Sequence, residues 1–359
     1  MNIIKNYQHK VASHCESGTV RNILKFAGLD VSEPLMFGIG TGIVFGYLLN
    51  AKGVSGFPIT AIRLPMGVIV QNVAKLCGIK FFAKRFKTTD EAIIKLNELI
   101  DSGQPAAACV EMFYMKYLPP FMQVHAPFHF ITIVGRDGDN YAVSDPYFPK
   151  IGILNKDLLK LAWETHALFS KDNLLVYVEN IPENINWKKA VKTGLNRTCT
   201  NMLIPPFISV FLPIFGISGI KMFARQIPSW TKKYSGYALR EGMLFTPTIL
   251  EEQGTGGGAF RFLYAAFLKE ASGIFNSDAL NEVAKEMVNV GEKWRDASRH
   301  LLKAGKKIPM KNDEYQDWFA KNGKELQEAL EEGKKMFLDI ADSEKKALVN
   351  LKKIMPSLK

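Results

Sequence analysis

A chain of 359 residues with 47% hydrophobic and 23% charged residues has the make-up of a globular protein, which excludes disordered and fibrous classes. At roughly 150 residues per domain, this length predicts two domains, or one large and one small. Forty-six basic against 35 acidic residues leave a net charge of +11, which calls for an acidic partner: nucleic acid, an anionic membrane face or an acidic protein.

The excess is regional, because nine basic residues and no acidic one lie between Asn184 and Arg240. The four cysteines, Cys15, Cys77, Cys109 and Cys199, form no CxxC. That spacing argues against a zinc ribbon, a thioredoxin-type site and a secreted disulfide scaffold, and no histidine spacing predicts a metal site. The N-terminus has neither the basic start nor the long apolar core of a signal peptide, so a cytoplasmic location is expected.

In chain order, SHCESG is the first informative stretch. Ser13 with Glu16 reads as a capping box before the helical spacing of Val20, Ile23, Leu24 and Ala27, which stops at Gly28. Cys15 is then the second helical residue and lies off the apolar stripe. There the unpaired N–H groups and positive helix end favour a nucleophilic thiolate, and position alone leaves a reactive and an inert thiol equally open. Gly38–Leu49 reads as a second, closely packed helix, and about Asp90–Ile100 as a third, with Thr89 as its N-cap. Strands are predicted at Ala106–Met112, His129–Gly135, Tyr141–Asp145 and Leu174–Val178.

The stretch HFITIVGRDGDNYAVSD reads as strand, five-residue turn and strand. With Gly135 opposite Tyr141, Ile131 faces Asp145. His129 and Asp145 become diagonal neighbours on one face, about 7–8 Å apart at Cβ. A one-residue change of register would put them on opposite faces. A cysteine at a helix start, followed by a histidine and an aspartate on adjacent strands, has the parts of a nucleophile, its base and an orienting carboxylate.

After Pro182 the strand signals stop. Ala259–Ser272, Ala279–Lys303 and Asp313–Ile354 have amphipathic helical spacing and predict a bundle. The expected architecture is α+β followed by all-α, divided into residues 1–182 and 183–359. Met202–Ile220 is 19 residues without a charge. It reads as buried packing or the wall of an acyl pocket, with membrane-surface contact the lesser reading because Pro205, Pro206 and Pro213 interrupt a spanning helix.

The order Cys, His, Asp on these elements resembles that of papain-like cysteine enzymes, and HFITIVGRDGDNYAVSDP is similar to a segment of bacteriocin-processing peptidases. The fuller resemblance is to the butirosin-biosynthesis acyltransferase family. It is carried by HCESGTVRNILKFAG, EPLMFGIGTG, the paired histidines of HAPFHF, SDP and, in the second half, GGGAFRFLYAAFLKEAS. It implies a papain-like catalytic domain followed by a mostly α-helical domain for substrate or carrier docking.

The implied reaction moves an acyl group from an acyl carrier protein thioester to an amine or hydroxyl acceptor. Cys15 would attack the thioester and hold the acyl group, His129 would act as base and acid, and Asp145 would orient His129. The donor would be the phosphopantetheine thioester of an acidic carrier protein, with no bound cofactor, and the acceptor a small molecule. Nucleic acid is not expected, because the acid-free region is mostly apolar.

An oxyanion donor is required beside the Cys15 N–H. Papain-like enzymes carry glutamine six residues before the cysteine; here that position is His9, with Gln8 one earlier, and both are candidates. Glu33, Glu111, Tyr114, Tyr117 and His125 are candidates for an acceptor pocket, although the family more often has aspartate where Glu111 stands. Arg261, behind GTGGGAF, is a candidate for the phosphate of the pantetheine arm, and Tyr264 is a further substrate-binding candidate. The same triad would serve a papain-like peptidase, an amidase or a thioesterase, which is the alternative reading.

Overall fold

The strand-forming stretches build two sheets, in a computed structural model that describes residues 2–166, 170–204, 215–252 and 254–359. The strands are β1 (Asn2–Ile3), β2 (Gly46–Lys52), β3 (Pro58–Ala61), β4 (Lys80–Arg85), β5 (Ala106–Val110), β6 (His129–Asp137), β7 (Asn140–Ser144), β8 (Gly152–Asn155) and β9 (Leu174–Asn180). Seven of them form one antiparallel sheet in the order β4-β9-β5-β6-β7-β8, with β1 paired to the far end of β6. β2 and β3 pair only with each other. The central strands match the predicted ones to within two residues. The edge strands β4 and β8 carry charged or exposed residues, as edges that avoid further pairing do, and this hid them from an apolar pattern.

Five helices accompany the large sheet: α1 (Cys15–Phe26), α2 (Glu33–Ile39), α3 (Val68–Cys77), α4 (Thr89–Asp101) and α5 (Lys156–Trp163). Together these elements form a unit of Met1–Gly40 and Pro65–Ala190. Leu96 and Leu99 of α4 and Leu159 and Trp163 of α5 share one buried core with Ala108, Ile131, Ile133 and Val143 of the sheet. Each large side chain so buried contributes about 1.5–3 kcal/mol. α1 packs on β5 and β6. The N-cap of α4 is Thr88, not Thr89: its hydroxyl accepts the Glu91 N–H at 3.2 Å, and Glu91 returns the bond to the Lys87 N–H.

The helix expected over Gly38–Leu49 does not form. α2 stops at Ile39 with Gly40 as its C-cap, and the chain from Gly46 is strand. Ile43, Val44, Phe45 and Tyr47 prefer extended backbone, and Gly42 and Gly46 weaken a helix.

The second unit is Thr41–Leu64 together with Val191–Lys359. It holds the β2–β3 hairpin and the helices α6 (Trp187–Met202, which begins just before it), α7 (Gly216–Gln226), α8 (Trp230–Lys233), α9 (Gly236–Glu251), α10 (Arg261–Phe275), α11 (Asp278–Lys306) and α12 (Asn312–Ile354). Phe45 and Tyr47 enter an aromatic core with Phe223, Trp294 and Phe337, with ring centroids 4.9–6.0 Å apart. A single cut near residue 182 therefore does not describe the chain, because residues 41–64 belong with the helices. α10 begins at Arg261 because Ala259 and Phe260 are left-handed (φ 48° and 71°). Of the apolar stretch Met202–Ile220, residues 205–214 lie outside the described residues. No described helix is long and apolar enough to cross a membrane.

Candidate active site

Cys15 is the first residue of α1, one position earlier than expected, and is 4% exposed. The helix is capped by His14, in extended backbone, whose Nδ1 accepts the Ser17 N–H at 3.3 Å. The expected Ser13–Glu16 box is absent. The N–H groups of Ser13 and His14 donate instead to the Glu33 carboxylate at 3.0 and 2.7 Å. Glu16 turns away and accepts the Ile69 and Val70 N–H groups at 3.0 and 3.2 Å. It supplies the anion at the start of α3 that the N-cap Gly67 cannot. Cys15 Sγ lies 3.7 Å from the Phe128 carbonyl oxygen.

His129 opens β6 and Asp145 directly follows β7. The turn between these strands is tighter than predicted, since Asp137 pairs with Asn140 and Gly138 takes φ 57°. That alone shifts the register by one residue, with Gly135 opposite Ala142. Val134 then bulges, and Thr132 pairs with Ser144, which restores the expected register at the end that matters. Nε2 of His129 lies 2.8 Å from Oδ2 of Asp145, and both side chains are buried.

Asp145 accepts two further bonds, from the Tyr117 hydroxyl on Oδ2 and the Tyr147 N–H on Oδ1, each 2.8 Å. Burial is the largest influence on all three ionisable groups. It works against the charged His129 ring, but the charge and hydrogen bond of Asp145, with smaller contributions from Cys15, outweigh it and raise His129 to about 10. Burial likewise opposes ionised Asp145, and His129, the Tyr147 N–H and the Tyr117 hydroxyl together hold it below its usual value. Tyr117 is raised by its burial and by the neighbouring carboxylate. The pair thus rests as imidazolium and carboxylate. With Nε2 on Asp145, Nδ1 is the ring nitrogen left to face Cys15, which lies close enough to His129 to help hold the ring charged.

The segment before α1 straps the Asp145 corner. Tyr7 donates to Ser144 Oγ at 3.0 Å, His9 bonds Ser144 Oγ at 2.8 Å and the Phe148 carbonyl at 2.9 Å, and the Ala12 N–H donates to the Pro146 carbonyl at 2.9 Å. Gly18 allows this approach, since a Cβ there would stand 2.3 Å from that of Ala12. Both ring nitrogens of His9 are committed to this corner, so its side chain is not available as an oxyanion donor, and Gln8 is exposed. The first N–H groups of α1, beginning at Cys15, remain the donors that a helix start offers there.

The pocket candidates separate in the same way. Glu33 holds the backbone ahead of Cys15, and also accepts from Ser17 Oγ at 3.3 Å. Tyr117 holds Asp145, over Gly152, where a Cβ would meet its ring at 2.6 Å. Tyr114 packs half-buried against the core. Glu111 pairs with His125 at 2.5 Å. The strap residues Tyr7 and Ser144 escaped the sequence reading, which carries no signal for them. The Asp145-Pro146-Tyr147 turn does carry one, since an aspartate side chain commonly bonds the N–H two residues on.

Arg261 and Tyr264 are not placed for a ligand. Both are fully buried in the second unit, where Arg261 pairs with Glu344 at 2.7 Å, donates to the Ala259 carbonyl and lies over Trp294. The glycine loop beside it wraps the chain's own Glu251, which accepts the Gly258 N–H at 2.7 Å and pairs with Arg295.

A cysteine starting a helix that packs on a sheet, with a histidine opening one strand and an aspartate just past the next, is the arrangement of the papain-like cysteine-enzyme fold. Residues 14–146 match the family described as butirosin biosynthesis protein H, N-terminal, and residues 157–351, more than half of the chain, match a domain of unknown function, DUF4872. The chain belongs to this butirosin biosynthesis protein H-like family. Among solved structures it is similar to a C39-like peptidase from Bacillus anthracis, at 14% identity and a TM-score of 0.35, over 50% of this chain and 98% of that one. No curated protein matches it.

Proposed function

We propose that the protein is a cysteine acyltransferase. Cys15 takes an acyl group from the phosphopantetheine thioester of an acyl carrier protein and passes it to an amine or hydroxyl acceptor. The observation that carries this reading is the buried His129–Asp145 pair beside Cys15 at a helix start, within the segment that matches the butirosin biosynthesis protein H family.

The Cys15 sulfur attacks the thioester carbonyl carbon, and the first N–H groups of α1 receive the oxyanion. The C–S bond to pantetheine breaks, and His129 protonates the departing sulfur from Nδ1. Asp145 keeps the ring oriented and charged for that step. An acidic carrier docks electrostatically on the basic second unit, where Arg225 and Lys232 of the acid-free stretch are exposed. Lys221 of that stretch pairs with Asp342, and Arg240 caps the carbonyls of Lys306 and Ile308, so these two serve the fold.

The test is intact-mass spectrometry after incubation with carrier protein loaded with a series of acyl groups. One acyl adduct is expected on the native protein and none on Cys15→Ala. No adduct with any acyl group rejects the reading. An adduct that water clears equally fast with and without amines makes the protein a thioesterase or amidase.

A further inference from the structure

The two histidines of HAPFHF lie one short segment apart, and only His129 belongs to the buried pair. His125 has its own carboxylate. Its side chain is 69% exposed, while that of its partner Glu111 is 11% exposed, and Nδ1 lies 2.5 Å from Oε1. The ring also stacks on Phe113, with centroids 4.1 Å apart and planes at 15°. Carboxylate and stacking together fix the ring plane and put the Nδ1 proton on Glu111, which leaves Nε2 as the proton-accepting nitrogen.

The sheet register carries this second pair to the first. Val110 pairs with His129 at the end of β5, and two residues on the Met112 N–H donates to the Ala126 carbonyl at 3.2 Å. Glu111 therefore stands across from the stretch that ends in Phe128, whose carbonyl faces the Cys15 sulfur. His125 and Phe128 are three residues apart, at most about 10 Å of extended chain. His125 is therefore tethered within three residues of the carbonyl that meets the Cys15 sulfur.

Proton counting supplies a task for it. An amine reaches a neutral site as an ammonium ion with three N–H protons, and the amide it becomes keeps one. One of the two lost protons ends on the Cys15 sulfur when the C–S bond breaks, delivered by His129. The other needs a different base, because His129, left neutral once it has protonated the departing pantetheine sulfur, can carry only one of the two.

We infer that His125, oriented by Glu111 and Phe113, is the acceptor-side base, taking at Nε2 the proton of the incoming ammonium. This rests on the acyl-transfer reading. The freed nitrogen lone pair attacks the acyl-Cys15 carbonyl carbon, the C–N bond forms, the C–S bond breaks, and the sulfur takes the second nitrogen proton by way of His129. His125 returns its proton to solvent, to which it is exposed. The substrate class at this position is a primary amine rather than water.

The experiment acylates the full-length protein with acetyl-N-acetylcysteamine and follows the fate of acetyl-Cys15 with two nucleophiles. 1,3-Diaminopropane arrives protonated at pH 7, whereas hydroxylamine does not and needs no second base. His125→Gln and His125→Ala should acylate at the native rate and react with hydroxylamine as the native protein does. Their aminolysis by diaminopropane should fall about 100-fold, the usual worth of a general base, and recover as pH rises through the amine's own titration. Glu111→Gln should show a smaller loss of the same kind.

Native-rate aminolysis in the His125 variants overturns the inference, and so does an equal loss with both nucleophiles, which would mark a structural role. A native protein that forms no acetyl-Cys15 rejects the acyl-transfer reading itself and takes this inference with it.

Discussion

Asp145 makes three short hydrogen bonds in a buried setting, and its charge decides the state of His129. Burial alone would leave that ring neutral, so the carboxylate is what holds the proton on it. In Asp145→Asn the charge is gone while the shape remains, and His129 should titrate below its ordinary 6.5 rather than near 10. Alkylation of Cys15 by iodoacetate, an anion drawn to the imidazolium, followed by mass, should in the native protein fall off on the alkaline side near pH 10. At pH 7.5 the variant should react at least about tenfold more slowly, since each pKa unit is a factor of ten in proton affinity. Identical profiles would mean that the carboxylate does not set the ring's charge.

Stability follows the same signs. The raised His129 contributes fully below 6.5 and loses its contribution as pH rises through about 10. The lowered Asp145 contributes above 3.8 and loses its contribution as pH falls through its folded value. Urea denaturation should therefore separate native protein and variant most widely between pH 3.8 and 6.5. The types and order of these residues were legible in the sequence. Tyr117 was legible only as a tyrosine near a pocket, because its bond to Asp145 depends on where a loop folds back.

Helix α1 brings its nucleophile into place by an element-level arrangement that the local pattern misstates. Ser13 and Glu16 have the spacing of a capping box, yet each bonds elsewhere, because a buried helix start is satisfied by whichever carboxylates the tertiary structure delivers. Glu33, from the first turn of α2, is the one that arrives at the Cys15 end. Glu33→Ala leaves the Ser13 and His14 N–H groups without their acceptor, at a cost of about 1–3 kcal/mol. It should lower the urea midpoint accordingly and slow Cys15 alkylation, whereas Glu33→Gln, which keeps one carbonyl acceptor, should lose less. Equal midpoints for native protein and Glu33→Ala would show that the helix start needs no external carboxylate.

The β6–β7 hairpin has a related lesson. The alternation of side chains indicated that residues 129 and 145 face each other. The tight turn at Gly138 and the bulge at Val134 shift the register in opposite senses and cancel, and neither shift is written in an apolar pattern.

At the scale of the whole molecule, the change from strands to helices after Pro182 is plain in the sequence, while the excursion of residues 41–64 is not. That stretch is mostly apolar, and apolarity does not say which core receives it. Its aromatic residues find their partners in the helical unit: Phe45 against Phe223 and Trp294, and Phe57 stacked on Tyr234 at 4.0 Å and set against Gly242, where a Cβ would come within 2.2 Å of the ring. A fragment ending at residue 182 keeps Phe45, Tyr47 and Phe57 and loses all of these partners. The start of the excursion, by contrast, is held to the first unit, with the Asn72 side chain of α3 donating to the Gly40 carbonyl at 2.8 Å. Residues 1–182 expressed alone should therefore bind 1-anilinonaphthalene-8-sulfonate and aggregate on concentration, because a contiguous apolar patch is left in water. The same fragment with residues 41–64 replaced by a short Gly-Ser linker should stay monomeric by light scattering, since the sheet, α1 and the His129–Asp145 pair lie wholly within what remains. If both fragments behave alike, residues 41–64 are not what ties the first unit's solubility to the presence of the second.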